Sequence, residues 1–334
     1  MEKLRVGIVG LGWVSQVFHL PILSKFEDVE IVAVCDRDKS RARMIAERFG
    51  YTRHYNDYQQ MLEKEDLAAI DVCTSTDAHL PITLAALQAG KDVFVEKPIA
   101  RRYSEAVQMA EAAKLSKRSL MVGMNNRFRP DTMILKSFVE KGELGKIFYA
   151  KAGWLRKLST GNPWITQKDK SGGGVFLDLG IVMLDLVLWM LGFPPVERVT
   201  AKMYMHKTKS VEDSCVVFLE MKYGTSIMLE VSWSFQAAED YFFCDFFGSD
   251  GSAKINPLRI HKQLHGNLVN VTPAKLETPA NLYKRSYENE LKHFVGAARG
   301  LHQVISTGEE AVQRMKVVEA IYQSAQKGKE IVLK

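Results

Sequence analysis

Leu4-Arg5-Val6-Gly7-Ile8-Val9-Gly10-Leu11-Gly12-Trp13-Val14-Ser15 is the stretch on which the fold turns. A short apolar run rich in β-branched residues ends in a glycine turn, and a helical pattern follows over about Val14–Lys25. A strand feeding a glycine turn and a helix begins a βαβ unit. Gly10 permits the tight turn, and Gly12 lets backbone approach a pyrophosphate. The helix N-terminus then supplies unpaired N–H groups and a positive dipole. Trp13 and Val14 ride on the turn and join the two glycines as candidate cofactor-binding residues. Ser15 takes the third small-residue position of the G-x-G-x-x-G pattern. The letters alone would also fit a bare tight turn, so the weight comes from their context.

That context continues. Val29–Cys35, Ala69–Thr74, Asp92–Val95 and Leu120–Val122 are further short apolar runs. Helical stretches separate them at about Lys39–Phe49, Leu80–Ala89 and Ser104–Leu115, with Ser104 as an expected N-cap and Gly50 and Gly90 just past helix ends. Strands alternating with helices imply a parallel sheet with right-handed crossovers, a Rossmann-like domain over residues 1–123. Asp36 ends the second strand 24 residues after Gly12, where a carboxylate can bind the adenine ribose hydroxyls of NAD. Arg37 beside it could instead hold the 2′-phosphate of NADP.

From Lys146 the pattern changes to longer strands at Ile147–Leu155, Val196–Met205, Ser214–Lys222, Thr225–Phe235 and Tyr241–Phe247. Tight turns join them, so residues 124–334 read as an α+β domain with a mostly antiparallel open sheet. Trp233, Phe235, Tyr241, Phe242, Phe243, Phe246 and Phe247 read as sheet core or a dimer surface. Two helices follow, near Tyr287–Arg299 and Gly308–Lys327, and a short strand at Ile331–Leu333.

The chain has 334 residues, is 46% hydrophobic and 25% charged, and carries a formal net charge of +6. That excludes a disordered or low-complexity chain. It also gives no footing to a nucleic-acid binder, whose affinity rests on many phosphate contacts. Cys35, Cys73, Cys215 and Cys244 form no C-x-x-C pair, so neither a metal site nor a disulfide framework is expected, and the cytoplasm is the expected compartment. Met1-Glu2-Lys3-Leu4-Arg5 has no signal-peptide pattern. The most apolar stretch, Gly173 to Phe193, is interrupted by Asp178 and Asp185 and reads as a buried helix rather than a membrane span.

Glu96-Lys97-Pro98 follows the strand Asp92–Val95, at the strand end where open α/β sheets place their sites. Thr74, at the end of its own strand, and His79 join Glu96 and Lys97 in the expected cofactor site. Lys97 can meet both nicotinamide and substrate. The plain alternative is a surface lysine paired with Glu96.

His79, Ala85-Ala86-Leu87-Gln88-Ala89-Gly90-Lys91-Asp92-Val93, Glu96-Lys97-Pro98, Arg127-Phe128-Arg129-Pro130, Gly172 to Gly180 and Met183-Leu184-Asp185 together resemble the Gfo/Idh/MocA family of oxidoreductases. Tyr287, Glu290 and Ile321 to Ala325 fit the same resemblance, which spans nearly the whole chain. It implies NAD(P)-dependent hydride transfer at a carbon of a sugar, cyclitol or related polyol. It also implies a homodimer or homotetramer built on the open sheet. Lys97 would polarise or protonate the reacting oxygen, and Asp178 would lie near the substrate.

Family dehydrogenases usually carry D-x-G-x-H-x-x-D. Here Asp178-Leu179-Gly180-Ile181-Val182-Met183-Leu184-Asp185 puts Val182 where the acid/base histidine belongs, and valine moves no proton. Either Lys97 takes over the proton work with support from Asp178, or Tyr287, His261 or His265 substitutes. The alternatives are a cofactor-binding sensor without turnover, or a redox-neutral NAD-dependent hydrolase or lyase. Asn126 and Arg127, after the strand Leu120–Val122, are candidate substrate contacts. So are Trp154, Arg156 and Trp164, in the loop Gly153 to Ser171, and Asp178, Val182 and Tyr287. All of the charge excess lies in residues 124–170, with 10 basic and 4 acidic residues, which points to an anionic sugar derivative.

Overall fold

The computed structural model of the chain describes residues 2–157, 163–236, 238–275 and 278–333. They form two compact units, Met1–Met124 with Tyr287–Val312, and Asn125–Ser286 with Gln313–Lys334. The chain leaves the first unit one residue from the boundary read at Gly123. The return of Tyr287–Val312 has no local signature, because a helix pattern states which face is buried and not what it is buried against.

In the first unit β1 (Leu4–Val9), β2 (Val29–Cys35), β3 (His54–Tyr55), β4 (Ala69–Val72), β5 (Asp92–Val95) and β6 (Leu120–Val122) form one six-stranded sheet in the order β3-β2-β1-β4-β5-β6. All pairs are parallel. The order reverses between β1 and β4, which opens the ligand crevice at the carboxyl ends of those strands. Every residue of β4 is buried, as expected of a parallel sheet covered on both faces. One of them is Asp71, a carboxylate that needs a partner.

Local chemistry accounts for the helices. Asp38 caps Lys39–Phe49 by accepting from the Ser40 and Arg41 amides, and Gly50 closes that helix at φ 76°. The helix Tyr103–Ser116 starts one residue before Ser104, with Arg102 at its cap position and no side-chain cap. The helix after the glycine turn opens as a π-turn over Ser15–His19.

In the second unit nine strands make one sheet. They are β7 (Ile147–Leu155), β8 (Val196–Tyr204), β9 (Ser214–Met221), β10 (Ser226–Ser232), β11 (Tyr241–Gly248), β12 (Gly251–Ile255), β13 (Arg259–Leu264), β14 (Asn267–Asn270) and β15 (Ile331–Val332). Their order is β14-β13-β12-β11-β7-β10-β9-β8-β15, and only β7 and β10 pair in parallel. The hairpins over Gly251–Asn270 escape the hydrophobic pattern because β13 is mostly polar and β14, the edge strand beside it, is exposed throughout.

The helix Ile181–Met190 is buried along its whole length. The longer helical stretch Lys168–Met190 is long and apolar enough to cross a membrane, yet 94% of its apolar window is buried inside the protein. Asp185 survives there because Arg127 grips it with two nitrogens, at 2.8 and 2.6 Å, and Arg314 adds a third contact at 2.6 Å. Removing one partner of such a buried cluster is costly.

Gly174 leads into the π-turn Phe176–Gly180, which carries Asp178. A Cβ on Gly174 would lie 1.9 Å from the Glu212 carbonyl oxygen. The neighbour is backbone and cannot swing aside. Gly174→Ala is therefore expected to cost about 3 kcal/mol, read as a lower midpoint in urea unfolding.

Candidate active site

The glycine turn is shaped by close approach. Gly10 has φ 93°, and a Cβ there would meet the Cys73 and Thr74 backbone at 2.6 to 2.7 Å, so β1 leaves the sheet tight against the end of β4. Gly12 has nothing within 4 Å of its would-be Cβ, so a ligand can come directly against the turn. Gln16 donates the first helical bond to the Gly12 carbonyl, so the amides of residues 13–15 precede the hydrogen-bonded ladder. Trp13 stands out with 58% of its surface exposed, its ring edge-on to Phe18. Val14 is half-buried.

Asp36 holds the turn in register. One carboxylate oxygen accepts from the Leu11 amide and the other from the Asp38 amide, each at 2.9 Å, and Arg41 approaches at 3.4 Å. Oδ1, which accepts from the Asp38 amide, keeps a lone pair for a ribose hydroxyl. Arg37 is exposed. An open face at Gly12, ladder-free amides and an anchored carboxylate at the end of β2 fit a dinucleotide with a free ribose.

The ends of β4 and β5 carry the rest of this half. Thr74 is half-buried, and its carbonyl meets His79 Nε2 at 3.2 Å. His79 Nδ1 lies 2.9 Å from the Pro98 carbonyl. This histidine is buried, and burial holds its pKa below the ordinary value. It clamps two strand ends together and does not present itself to a cofactor, as read from the sequence. Lys97 is half-buried on the segment between β5 and Pro98. Its amide donates to Glu96 Oε2 at 3.0 Å.

Beneath Lys97 lies a polar cluster that sequence reading missed. His19, delivered by the π-turn, is fully buried, with Nδ1 2.8 Å from Asp71 Oδ2 and Nε2 3.2 Å from Glu96 Oε1. Burial pulls the His19 pKa down, but the Asp71 carboxylate and the Cys73 sulfur outweigh it and hold the ring well above its ordinary range. For Glu96 burial pushes up, while the His19 contact, the His19 charge and Lys97 pull it below the ordinary range. Tyr287 stacks on Phe18 with ring centroids 4.1 Å apart and is buried, so its ring packs the first helix.

The second unit holds the other candidates. Asp178 Oδ2 accepts from the Trp233 indole N–H at 3.1 Å. Trp233 had read as sheet core or dimer surface. It is buried, and its donor fixes a carboxylate. Glu212 Oε1 accepts from the Gly174 and Phe176 amides and from the Tyr322 hydroxyl at 2.7 Å, anchoring the turn that carries Asp178. Val182 is buried two residues past that π-turn. Asn126 is also buried. Arg127 is fully buried, and its bidentate bond to Asp185 makes it a packing cation rather than a substrate contact. Trp154 meets Phe242 edge-on, and Arg156 lies over its ring. Trp164 sits half-buried in the short turn Pro163–Thr166. Residues 158–162 of the expected substrate loop lie outside the described residues. His261 and His265 belong to β13 and the turn after it, at the edge of the sheet.

Folding pairs part of the charge excess of residues 124–170. Arg127 meets Asp185, Arg129 meets Asp131, Lys136 meets Glu140, and Lys151 meets Asp245 across the β7–β11 pair. Two of these acids lie outside the window, so these pairs offset only part of the excess.

The first unit matches the family model of the oxidoreductase family with a NAD-binding Rossmann fold over residues 4–124, and residues 136–333 match its C-terminal alpha/beta domain. The chain belongs to the Gfo/Idh/MocA oxidoreductase family. It is 31% identical over 349 residues to the D-glucoside 3-dehydrogenase of Escherichia coli, covering 99% of this chain and 98% of that protein. GenD2 of gentamicin A biosynthesis, solved with NAD, superposes with a TM-score of 0.87 at 25% identity, over 100% of this chain and 97% of the other. A levoglucosan dehydrogenase solved with NADH and L-sorbose shares the fold at a TM-score of 0.89 and 21% identity, with both chains fully covered. NAD is the cofactor of this oxidoreductase.

One buried group gives a pH signature. Glu290 is fully buried, and among the described residues neither carboxylate oxygen has a hydrogen-bond partner in good geometry. Burial and the Glu96 charge push its pKa well above the ordinary 4.5. The stability it contributes is complete below pH 4.5 and is lost as pH rises through its folded value. Glu290→Gln cannot ionise, so it should match the native protein near pH 5 and melt at higher temperature than it at pH 8 to 9, by calorimetry.

Proposed function

We propose that this enzyme oxidises a secondary hydroxyl of a sugar, glycoside or polyol, with Lys97 as its main polar catalytic group and Asp178 as a substrate ligand. The observation that carries the reading is Glu96-Lys97-Pro98 at the carboxyl end of β5, beside the switch point that opens next to Gly12. An end-to-end relative that is a D-glucoside 3-dehydrogenase supports the substrate class. NAD, when bound, accepts or returns the hydride. The neutral Lys97 amine accepts a hydrogen bond from the reacting hydroxyl and takes its proton as the hydride leaves, becoming the ammonium that returns the proton in the reverse direction. Asp178 accepts from a substrate hydroxyl, with its rotamer set by the Trp233 indole. Because Val182 supplies no base, the proton work concentrates on Lys97. Asp36 favours NAD, since a 2′-phosphate would meet its charge.

Lys97→Met is expected to abolish NADH formation across a panel of glycosides, free sugars and cyclitols, with NADH affinity by calorimetry unchanged. Retained turnover would remove Lys97 from the mechanism. Native protein that binds NADH but turns over nothing in the panel would favour the sensor reading that Val182 motivates. Product without net NADH would favour redox-neutral chemistry.

The outer face of the second unit's sheet supports a homo-oligomer. Tyr204, Val216, Phe218 and Met228 are 37 to 44% exposed on adjacent strands, and Met228 pairs directly with Phe218. Such an exposed apolar face marks an interface. Light scattering coupled to gel filtration should give a dimer or tetramer mass, and Phe218→Glu should lower it. All four cysteines are free and buried, which suits a reducing cytoplasm.

A further inference from the structure

We propose that His19 is a positioning residue for Lys97, holding in place the Glu96 carboxylate whose second oxygen takes the Lys97 amide. The inference rests on the reading that Lys97 is catalytic. The path is continuous: Asp71 Oδ2 to His19 Nδ1 at 2.8 Å, His19 Nε2 to Glu96 Oε1 at 3.2 Å, and Glu96 Oε2 to the Lys97 amide at 3.0 Å. Its members come from three elements, the π-turn after the glycine loop, β4 and the end of β5.

Glu96 packs against Gly123, where a Cβ would stand 3.3 Å from its carboxylate, and Phe94 lies edge-on to the His19 ring with centroids 5.5 Å apart. The ligand atoms of His19, Asp71 and Cys73 lie close enough together to hold a cation. The hydrogen bonds already use them: Cys73 Sγ sits 3.3 Å from both His19 Nδ1 and Asp71 Oδ1. A charged imidazole between two carboxylates balances the cluster without an ion.

The arrangement does more than brace a loop. Asp71, Cys73, Glu96, Lys97 and the carboxyl of Glu290 are the titratable groups around the ring, and Tyr287 packs near it with centroids 6.2 Å apart. A charged His19 keeps Glu96 ionised, and an ionised Glu96 beside Lys97 favours the lysine ammonium. Replacing the ring with a neutral amide removes that support. Glu96 then takes up a proton, and the ammonium beside it loses its counter-charge.

The test reads Lys97 directly. Lysines of the full chain are reductively 13C-methylated, which keeps their charge, and titrated by NMR, with Lys97→Met identifying the resonance. In His19→Gln the Lys97 titration should move to lower pH by about one unit. On the best substrate of the panel, kcat on the high-pH plateau, where Lys97 is deprotonated in both proteins, should fall about tenfold while KM and NADH affinity stay within about twofold. Should His19→Gln fail to fold, Asp71→Asn removes the carboxylate that keeps the ring charged and carries the same direction of shift. A Lys97 titration that stays in place or moves upward overturns the proposal. The titration needs no turnover, so its outcome stands apart from that of the Lys97→Met activity test.

Discussion

The imidazole of His19, set between Asp71 and Glu96, is the interaction on which the Rossmann unit's working edge depends. Two carboxylates are carried into the interior by a strand and a strand end that must be there for other reasons, and buried anions need a counter-charge. A single ring reaches both because the helix after the glycine turn opens with a π-turn, placing its fifth residue against the sheet. The glycine turn, β4 and the end of β5 are thereby tied at one point. Gly10 packs against Cys73 from above the same point. The turn that receives the dinucleotide and the segment that carries the lysine are therefore fixed by one shared cluster, not by two separate loops.

The second unit solves the same problem with different donors. Asp185 lies in a wholly buried helix and is neutralised by two arginines. Glu212 is held by two backbone amides and a tyrosine hydroxyl, and burial still lifts its pKa. Asp178 is the carboxylate in this group fixed by an indole donor. An indole has a single N–H, so it orients one oxygen of the group.

The parallel sheet was legible because each strand is short, apolar and followed by a helix signal, and because the glycine turn has a backbone requirement visible in letters. Lys39–Phe49 and Gly308–Lys327 could be bounded to the residue by their caps and periodicity. The hairpin of Arg259–Asn270 could not, since β13 is mostly polar and the edge strand β14 is exposed throughout, so neither shows a buried face to alternate. In the site, residue type pointed to Lys97, Asp178 and Asp36, whereas His19, Trp233 and Glu212 act through partners 52, 55 and 36 to 110 residues away. No local pattern encodes such pairings. A buried aspartate inside an otherwise apolar β4 was the one available sign, and its partner was not readable from it.

The charge distribution shows why a window of sequence is a poor proxy for a field. Residues 124–170 hold six more basic than acidic residues. Arg127 spends its charge on an aspartate 58 positions later, and Lys151 on the aspartate opposite it across two strands. Charges paired in this way add little to the field, so what reaches an approaching ligand comes from the basic residues of the window outside these pairs.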